Sequence, residues 1–139
     1  SNREMLRYVQ RMIGFRKAHP ALWQPHFYTG ENNERGLADI TWHGTNLGNP
    51  GFDDPHGRAL ACTIAGFKGD ADLHVMMNMF WQPLDFELPV DPRRVWHIAI
   101  DTFARTPDDI ADPGHEAPLP RPLCTVRGRS IVVLVGPNA

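Results

Sequence analysis

Basic patches, long apolar runs and cysteine-rich spacing are all missing from this sequence. The formal charge is −2, and apart from Arg16-Lys17 the cations are scattered, so no electrostatic footprint for nucleic acid or an anionic membrane is present. No apolar stretch approaches the roughly 18 residues that a membrane span needs. No charged-then-apolar secretory segment opens the chain either, and it reads as soluble. Only two cysteines occur, Cys62 and Cys124. Each lies inside an apolar strand-like run, the pattern of buried free thiols and not of a disulfide framework, which points to the cytoplasm. The seven histidines include no H-x-x-x-H pair and no Cys/His zinc spacing, Ser130 lacks a G-x-S-x-G context, and no glycine-rich phosphate loop exists. No metal, no cofactor and no catalytic residue is therefore assigned.

Turn formers, by contrast, are plentiful. Thirteen prolines and twelve glycines in 139 residues favour short strands joined by loops, within one domain large enough to bury a core. Ser1-Asn-Arg-Glu4 has the form of a capping box, and Met5, Leu6, Tyr8, Val9, Met12, Ile13 and Phe15 follow at helical spacing. The helix should end near Ala18-His19-Pro20. Its apolar residues cover about half the circumference, more than one contact surface requires. If only one of two partner bodies is present, part of that face should be exposed.

After a connector over residues 21–37, seven strand candidates follow with no helix between them. They are Ala38–His43, Arg58–Ala65, the two arms of Asp72–Pro89, Arg94–Asp101, Pro122–Gly128 and Arg129–Gly136. That series predicts an all-β antiparallel β-sandwich of Greek-key type over residues 38–139, preceded by one N-terminal α-helix. Asp72–Pro89 reads as a β-hairpin with its corner at Trp81-Gln82-Pro83. Its first arm is apolar on the Leu73/Val75/Met77 face and mixed on the His74/Met76/Asn78 face. The Arg94–Asp101 pattern places Trp96, Ile98 and Ile100 on one core face, and residues 103–122 read as a proline-rich acidic loop. The last strand, apolar on both faces, should be central.

Carboxylates in pairs would be needed for glycosidic acid–base chemistry. Asp53-Asp54, Asp108-Asp109 and Asp112 fall in predicted loops, where solvated surface roles are expected. Aromatic side chains offer a different chemistry, since sugar rings stack on indole faces. Trp96 alternates with Ile98 and reads as core. Trp42 reads as core or as facing a neighbouring domain, and Trp81, at a corner, as packed or presented to a ligand. Trp81 and Trp42 are thus the carbohydrate-contact candidates.

Several motifs, taken in order, carry a resemblance: Phe15-Arg-Lys-Ala-His-Pro-Ala-Leu22, Asp39-Ile-Thr-Trp-His-Gly44, Arg58-Ala-Leu-Ala61, Val75-Met-Met-Asn78, Phe86-Glu-Leu-Pro89, Trp96 with Ile100-Asp-Thr102, Pro107-Asp-Asp-Ile110 and Arg129-Ser-Ile-Val-Val-Leu134. Together they resemble the C-terminal region of isoamylase-type glycogen debranching enzymes of the α-amylase superfamily. One departure is Gly51-Phe-Asp-Asp-Pro, where that family often has a Pro-Asp-Trp-like segment. The resemblance implies that residues 1–20 are the last helix of a catalytic (β/α)₈ barrel whose Asp nucleophile and Glu acid/base lie outside this chain. It further implies that the barrel is the partner of this domain, that the parent cleaves α-1,6 branch linkages in glycogen or limit dextrin, and that the sandwich is non-catalytic. The competing expectation is a carbohydrate-binding module contacting α-glucan through Trp81 and Trp42. A third is an interaction protein that uses the helix face.

Overall fold

In the computed structural model, which describes residues 1–67 and 69–137, the chain begins with helix α1 (Asn2–Ala18). Its start is set by the expected capping box, with the Glu4 amide donating to Ser1 Oγ while the Glu4 carboxylate accepts from the Ser1 amino group. A 3₁₀ turn over Pro20–Leu22 ends it, as proline after His19 requires. Asp39 pins the connector: its carboxylate accepts from the amides of Thr29, Gly30 and Ile40 at 2.8, 2.7 and 2.7 Å.

Among the described residues eight strands follow: β1 (Ile40–His43), β2 (Ala59–Ile64), β3 (Asp72–Asn78), β4 (Leu84–Glu87), β5 (Trp96–Asp101), β6 (Ala117–Leu119), β7 (Leu123–Val126) and β8 (Ser130–Gly136). Six form one antiparallel sheet in the order β1-β2-β3-β8-β5-β6, and β4 pairs with β7 as a second, two-stranded sheet. The all-β antiparallel fold with one N-terminal helix is thus present, with β8 central as its two apolar faces require.

One face of the large sheet meets the small sheet. Ala61, Met76, Trp96, Val132 and Leu134 pack there against Phe86, Leu88, Cys124 and Val126. Full burial of side chains such as Phe86, Leu88 and Leu134 contributes roughly 1.5–3 kcal/mol each. The opposite face carries Cys62, Ile64, Leu73, Ile100 and Val135, with Tyr8 and Phe15 of α1 packed over them. The layers are therefore helix, six-stranded sheet and two-stranded sheet.

Four findings bear on these expectations, three of them corrections. The arms of Asp72–Pro89 do not pair: β3 lies between β2 and β8, and β4 belongs to the other sheet. Asn78 makes the switch, because its side-chain amide donates to the carbonyls of Gln82, Val126 and Arg127 while its Oδ1 accepts from the Phe80 amide. Second, the mixed face of β3, assigned to neither side in the sequence, is the sandwich interior: Asp72, His74, Met76 and Asn78 are fully buried, and their polar groups apart from His74 Nε2 are bonded within the protein. Third, a bulge between Ile98 and Ile100 moves Ile100 to the helix side, away from Trp96 and Ile98. An extra residue reverses the alternation beyond it. Fourth, the proline-rich loop contains the edge strand β6, whose Pro118 opposes His97, a position where a missing N–H is tolerated.

Candidate functional site

The two indoles singled out in the sequence are not brought together as one site. Trp42 sits on edge strand β1 opposite Cys62, hence on the helix side of the large sheet, and is 39% exposed. Its aromatic neighbour is Phe52, with ring centroids 6.1 Å apart and planes at 67°. Trp81 stands at the crossover between the sheets, 64% exposed, beside Phe80 at 5.6 Å. Its backbone is pressed onto Gly128, where a Cβ would lie 2.3 Å from the Trp81 carbonyl oxygen.

The Phe52 ring is held by an ordered loop. Phe52 occupies the tip of a turn closed by the Asp54 amide on the Gly51 carbonyl at 2.9 Å. The Asp54 carboxylate then accepts from the His56 amide at 2.9 Å. Upstream, the Gly48 amide donates to His43 Nδ1 at 2.8 Å, and Glu87 donates its amide to the Thr45 carbonyl at 2.8 Å. Phe52 was not singled out in the sequence, because a lone aromatic in a Gly/Asn/Asp loop has no period to mark it. The signal available was its exposure-prone position between Gly51 and Asp53.

Two buried polar clusters lie between the sheets and in the loops beside them. His43 Nδ1 accepts from Gly48, so its Nε2 bears the proton and donates to Thr63 Oγ1 at 3.0 Å; Thr63 in turn donates to His74 Nδ1 at 2.9 Å. His74 is held neutral, its pKa lowered to about 3 by burial first and then by the His43 and Arg94 charges. Its Nε2 has no hydrogen-bond partner among the described residues, and the ring lies 5.6 Å from that of Trp96. Nearby, the buried Asp72 accepts from Arg35 at 2.6 Å, from Arg94, and from the Gly66 amide at 2.8 Å. Burial raises the Asp72 pKa, but the Arg35 bond, the Gly66 amide and the two guanidinium charges outweigh it and hold the carboxyl below its usual range. Apart from His74 Nε2 and Arg94 Nε, the buried polar atoms of these clusters are bonded within the protein, and the clusters offer no nucleophile. Cys62 and Cys124 are free and buried, their thiols pushed up to about 11, chiefly by burial.

The acidic loop also differs from expectation at one residue. Asp109, expected to be solvated, is ion-paired with Arg7 of α1 at 3.0 Å, and Arg7 also donates to the carbonyls of Pro107 and Ile110. Asp112 pairs with Arg11 at 2.8 Å. The loop therefore straps the helix to the sheet. Among the described residues, no three His, Cys, Asp or Glu side chains converge as a metal ion would need, and no helix is long and apolar enough to cross a membrane.

An apolar groove of about 540 Å³ lies between α1 and the sheet, walled by Tyr8, Val9, Met12, Ile13, Leu73 and Val133 among others. Met5, Leu6, Val9 and Ile13 are exposed, and no residue of α1 is fully buried.

No known family profile matches the chain. Among solved structures it is similar to an α-amylase from H. orenii, at 17% identity and a TM-score of 0.47 over 94% of this chain and 20% of that one. It is likewise similar to a mutant trehalulose synthase in complex with Tris, at 16% identity and a TM-score of 0.47 over 97% of this chain and 19% of that one. An isoamylase of Flavobacterium sp. is 32% identical over 119 residues, covering 78% of this chain and 15% of that enzyme. Through that stretch the chain is a sequence relative of isoamylase, and it spans only about one-seventh of that enzyme's length.

Proposed function

We propose that this chain is the C-terminal accessory domain of an isoamylase-type glycoside hydrolase. In this reading α1 is the last helix of a catalytic (β/α)₈ barrel, and residues 38–139 form a sandwich that supports and shapes it. The observation that carries the reading is the helix. Tyr8 and Phe15 hold one side of α1 to the large sheet, while Met5, Leu6, Val9 and Ile13 on the rest of its apolar surface are uncovered. These four large apolar side chains are about half exposed, so leaving them in water forgoes roughly 1 kcal/mol apiece, about half the value for full burial, and a contiguous apolar stripe of this kind marks a contact surface. The sequence relationship to one-seventh of an isoamylase supplies the body that would cover it.

The parent would hydrolyse α-1,6 branch linkages of glycogen or limit dextrin in the cytoplasm, with its Asp nucleophile and Glu acid/base on the barrel. The sandwich takes no part in bond cleavage. Its buried carboxylate is saturated by Arg35, Arg94 and Gly66, and its buried imidazole accepts from Thr63.

Reading the coding sequence upstream of Ser1 tests the proposal directly. A barrel with an Asp and a Glu at its strand ends is expected, and a frame without one overturns the reading. Incubating the 139-residue protein with glycogen should release no reducing ends; sustained turnover would contradict the non-catalytic assignment.

A further inference from the structure

We propose that the Trp42–Phe52 corner binds a sugar ring of a neutral carbohydrate. The inference uses none of the uncovered α1 side chains, although Trp42 lies on the same side of the large sheet as the helix, so it and the accessory-domain reading can fail separately. Two rings at 67° with centroids 6.1 Å apart make a floor and a wall. Neither ring belongs to a core cluster, and exposures of 39% and 67% leave both able to meet a ligand.

Exposure alone would not point to a ligand, but the order of the supporting loop does. Phe52 is carried on a turn closed by Gly51 and Asp54, and the loop is tied to the sandwich through Gly48 on His43 and Thr45 on Glu87. Gly44 is packed so closely that a Cβ there would lie 2.4 Å from the Asn49 carbonyl oxygen. The segment is thus fastened at several points and still presents an aromatic ring to water. A preorganised ring of this kind costs little ordering entropy when a ligand arrives.

The chemistry around the corner selects the class of ligand. Asn46, Asn49 and Asp53 are exposed on the same loop, and among the described residues their side chains make no hydrogen bond within the protein. Two amides and one carboxylate offer donors and acceptors for hydroxyl groups, with no cationic cluster to attract an anion. Phe and Trp side chains bury 150–250 Å² each when covered, so the exposed parts offer roughly 200–250 Å². That falls well short of the ~800 Å² per partner of a stable protein interface, and suits a small ligand with an apolar face and a polar rim. A pyranose ring has that form.

Calorimetric titration of the protein with maltoheptaose, with sorbitol as an acyclic polyol control, is the test. Saturable binding of maltoheptaose and none of sorbitol is expected. Trp42→Ala and Phe52→Ala should each weaken it about tenfold or more, equivalent to about 1.4 kcal/mol, while Trp81→Ala should leave it unchanged. In case Trp42→Ala does not fold, the Trp42 indole N–H resonance of the unaltered protein should shift during the titration. No saturable response up to about 20 mM sugar, corresponding to a binding free energy weaker than about −2.3 kcal/mol, overturns the proposal. So does a response lost in Trp81→Ala but kept in Phe52→Ala, or self-association abolished by the same substitutions in place of sugar binding.

Discussion

Replacing Asn78 should unfasten the two sheets from each other more than any single apolar truncation at the crossover. The side chain is fully buried, and its amide reaches the carbonyls of Gln82, Val126 and Arg127 at 2.9, 3.0 and 3.2 Å while Oδ1 takes the Phe80 amide at 2.9 Å. Two amide hydrogens serve three carbonyls, so Asn78→Ala loses at most two good donor bonds, at about 1 kcal/mol each. It also orphans the Phe80 N–H, a further cost of about 1–3 kcal/mol. The sum is about 3–5 kcal/mol, a large part of the 5–15 kcal/mol that stabilises a domain of ordinary size. Asn78→Asp sharpens the test. It keeps the acceptor for Phe80 but turns an oxygen toward three carbonyls, so its cost at neutral pH should equal or exceed that of alanine and shrink on acidification as a proton restores one donor. Urea unfolding followed by circular dichroism measures both. A loss below about 1 kcal/mol for Asn78→Ala, less than a single orphaned amide should cost, would refute the account of the crossover.

Two further outcomes follow from the polar interior and the tight turns. His74 is buried neutral with a pKa of about 3, against about 6.5 in an unfolded chain. Between those values the unfolded state binds the extra proton, so stability is fully present above pH 6.5 and falls as the pH drops toward 3, by about 2 kcal/mol from pH 7 to 5. Protonation at Nδ1 would also force Thr63 to accept from both rings. Urea midpoints at pH 7 and 5 should converge in His74→Gln, and an unchanged difference would show that the acid sensitivity lies elsewhere. At Gly128, a Cβ would meet the Trp81 carbonyl oxygen at 2.3 Å, backbone against side chain with little room to give. Gly128→Ala should cost about 1–3 kcal/mol, read as a lower melting temperature, and an unchanged melting temperature would mean that the Trp81 crossover is freely displaced.

Much of this architecture was legible because period and capping chemistry are local. Ser1 and Glu4 define the start of α1, and two apolar faces in Ser130–Gly136 mark a central strand. Pairing is not local. Alternation in Asp72–Asn78 and Leu84–Glu87 says which residues share a face but not which strand lies alongside, and a short turn between two such arms favours the hairpin. The buried Asn78 amide decides otherwise by reaching Val126 and Arg127, 48 and 49 residues away. The burial of the mixed face of β3 is non-local in the same way. Asp72, His74 and Asn78 are tolerated inside only because Arg35, Arg94, Thr63 and distant carbonyls meet them, and none of those partners is near in sequence. At the candidate site, Trp42 was visible as a large aromatic on a short strand. Phe52 was not, since its position beside Trp42 depends on the closed turn at Gly51–Asp54.

The motifs that carry the family resemblance fall, in the structure, on residues occupied with holding the fold. Asp39 gathers three amides at the start of β1. His43 heads the hydrogen-bonded chain to His74, Asn78 fastens the sheet crossover, and Trp96 donates its indole N–H to the Pro89 carbonyl at 2.9 Å. Asp109 holds Arg7 of α1. Residues spent this way hold the surfaces of the domain in fixed positions. Arg7–Asp109 makes the point most directly, because it fixes the angle of the helix whose uncovered residues Leu6, Val9 and Ile13 form the proposed contact with the barrel. An arginine holding one carboxylate and two carbonyls, partly shielded from water, resists rotation of the helix better than a surface ion pair would. The strap and the apolar stripe are thus parts of one device: the loop at Pro107–Ile110 sets where the stripe points, and the stripe determines what can dock there.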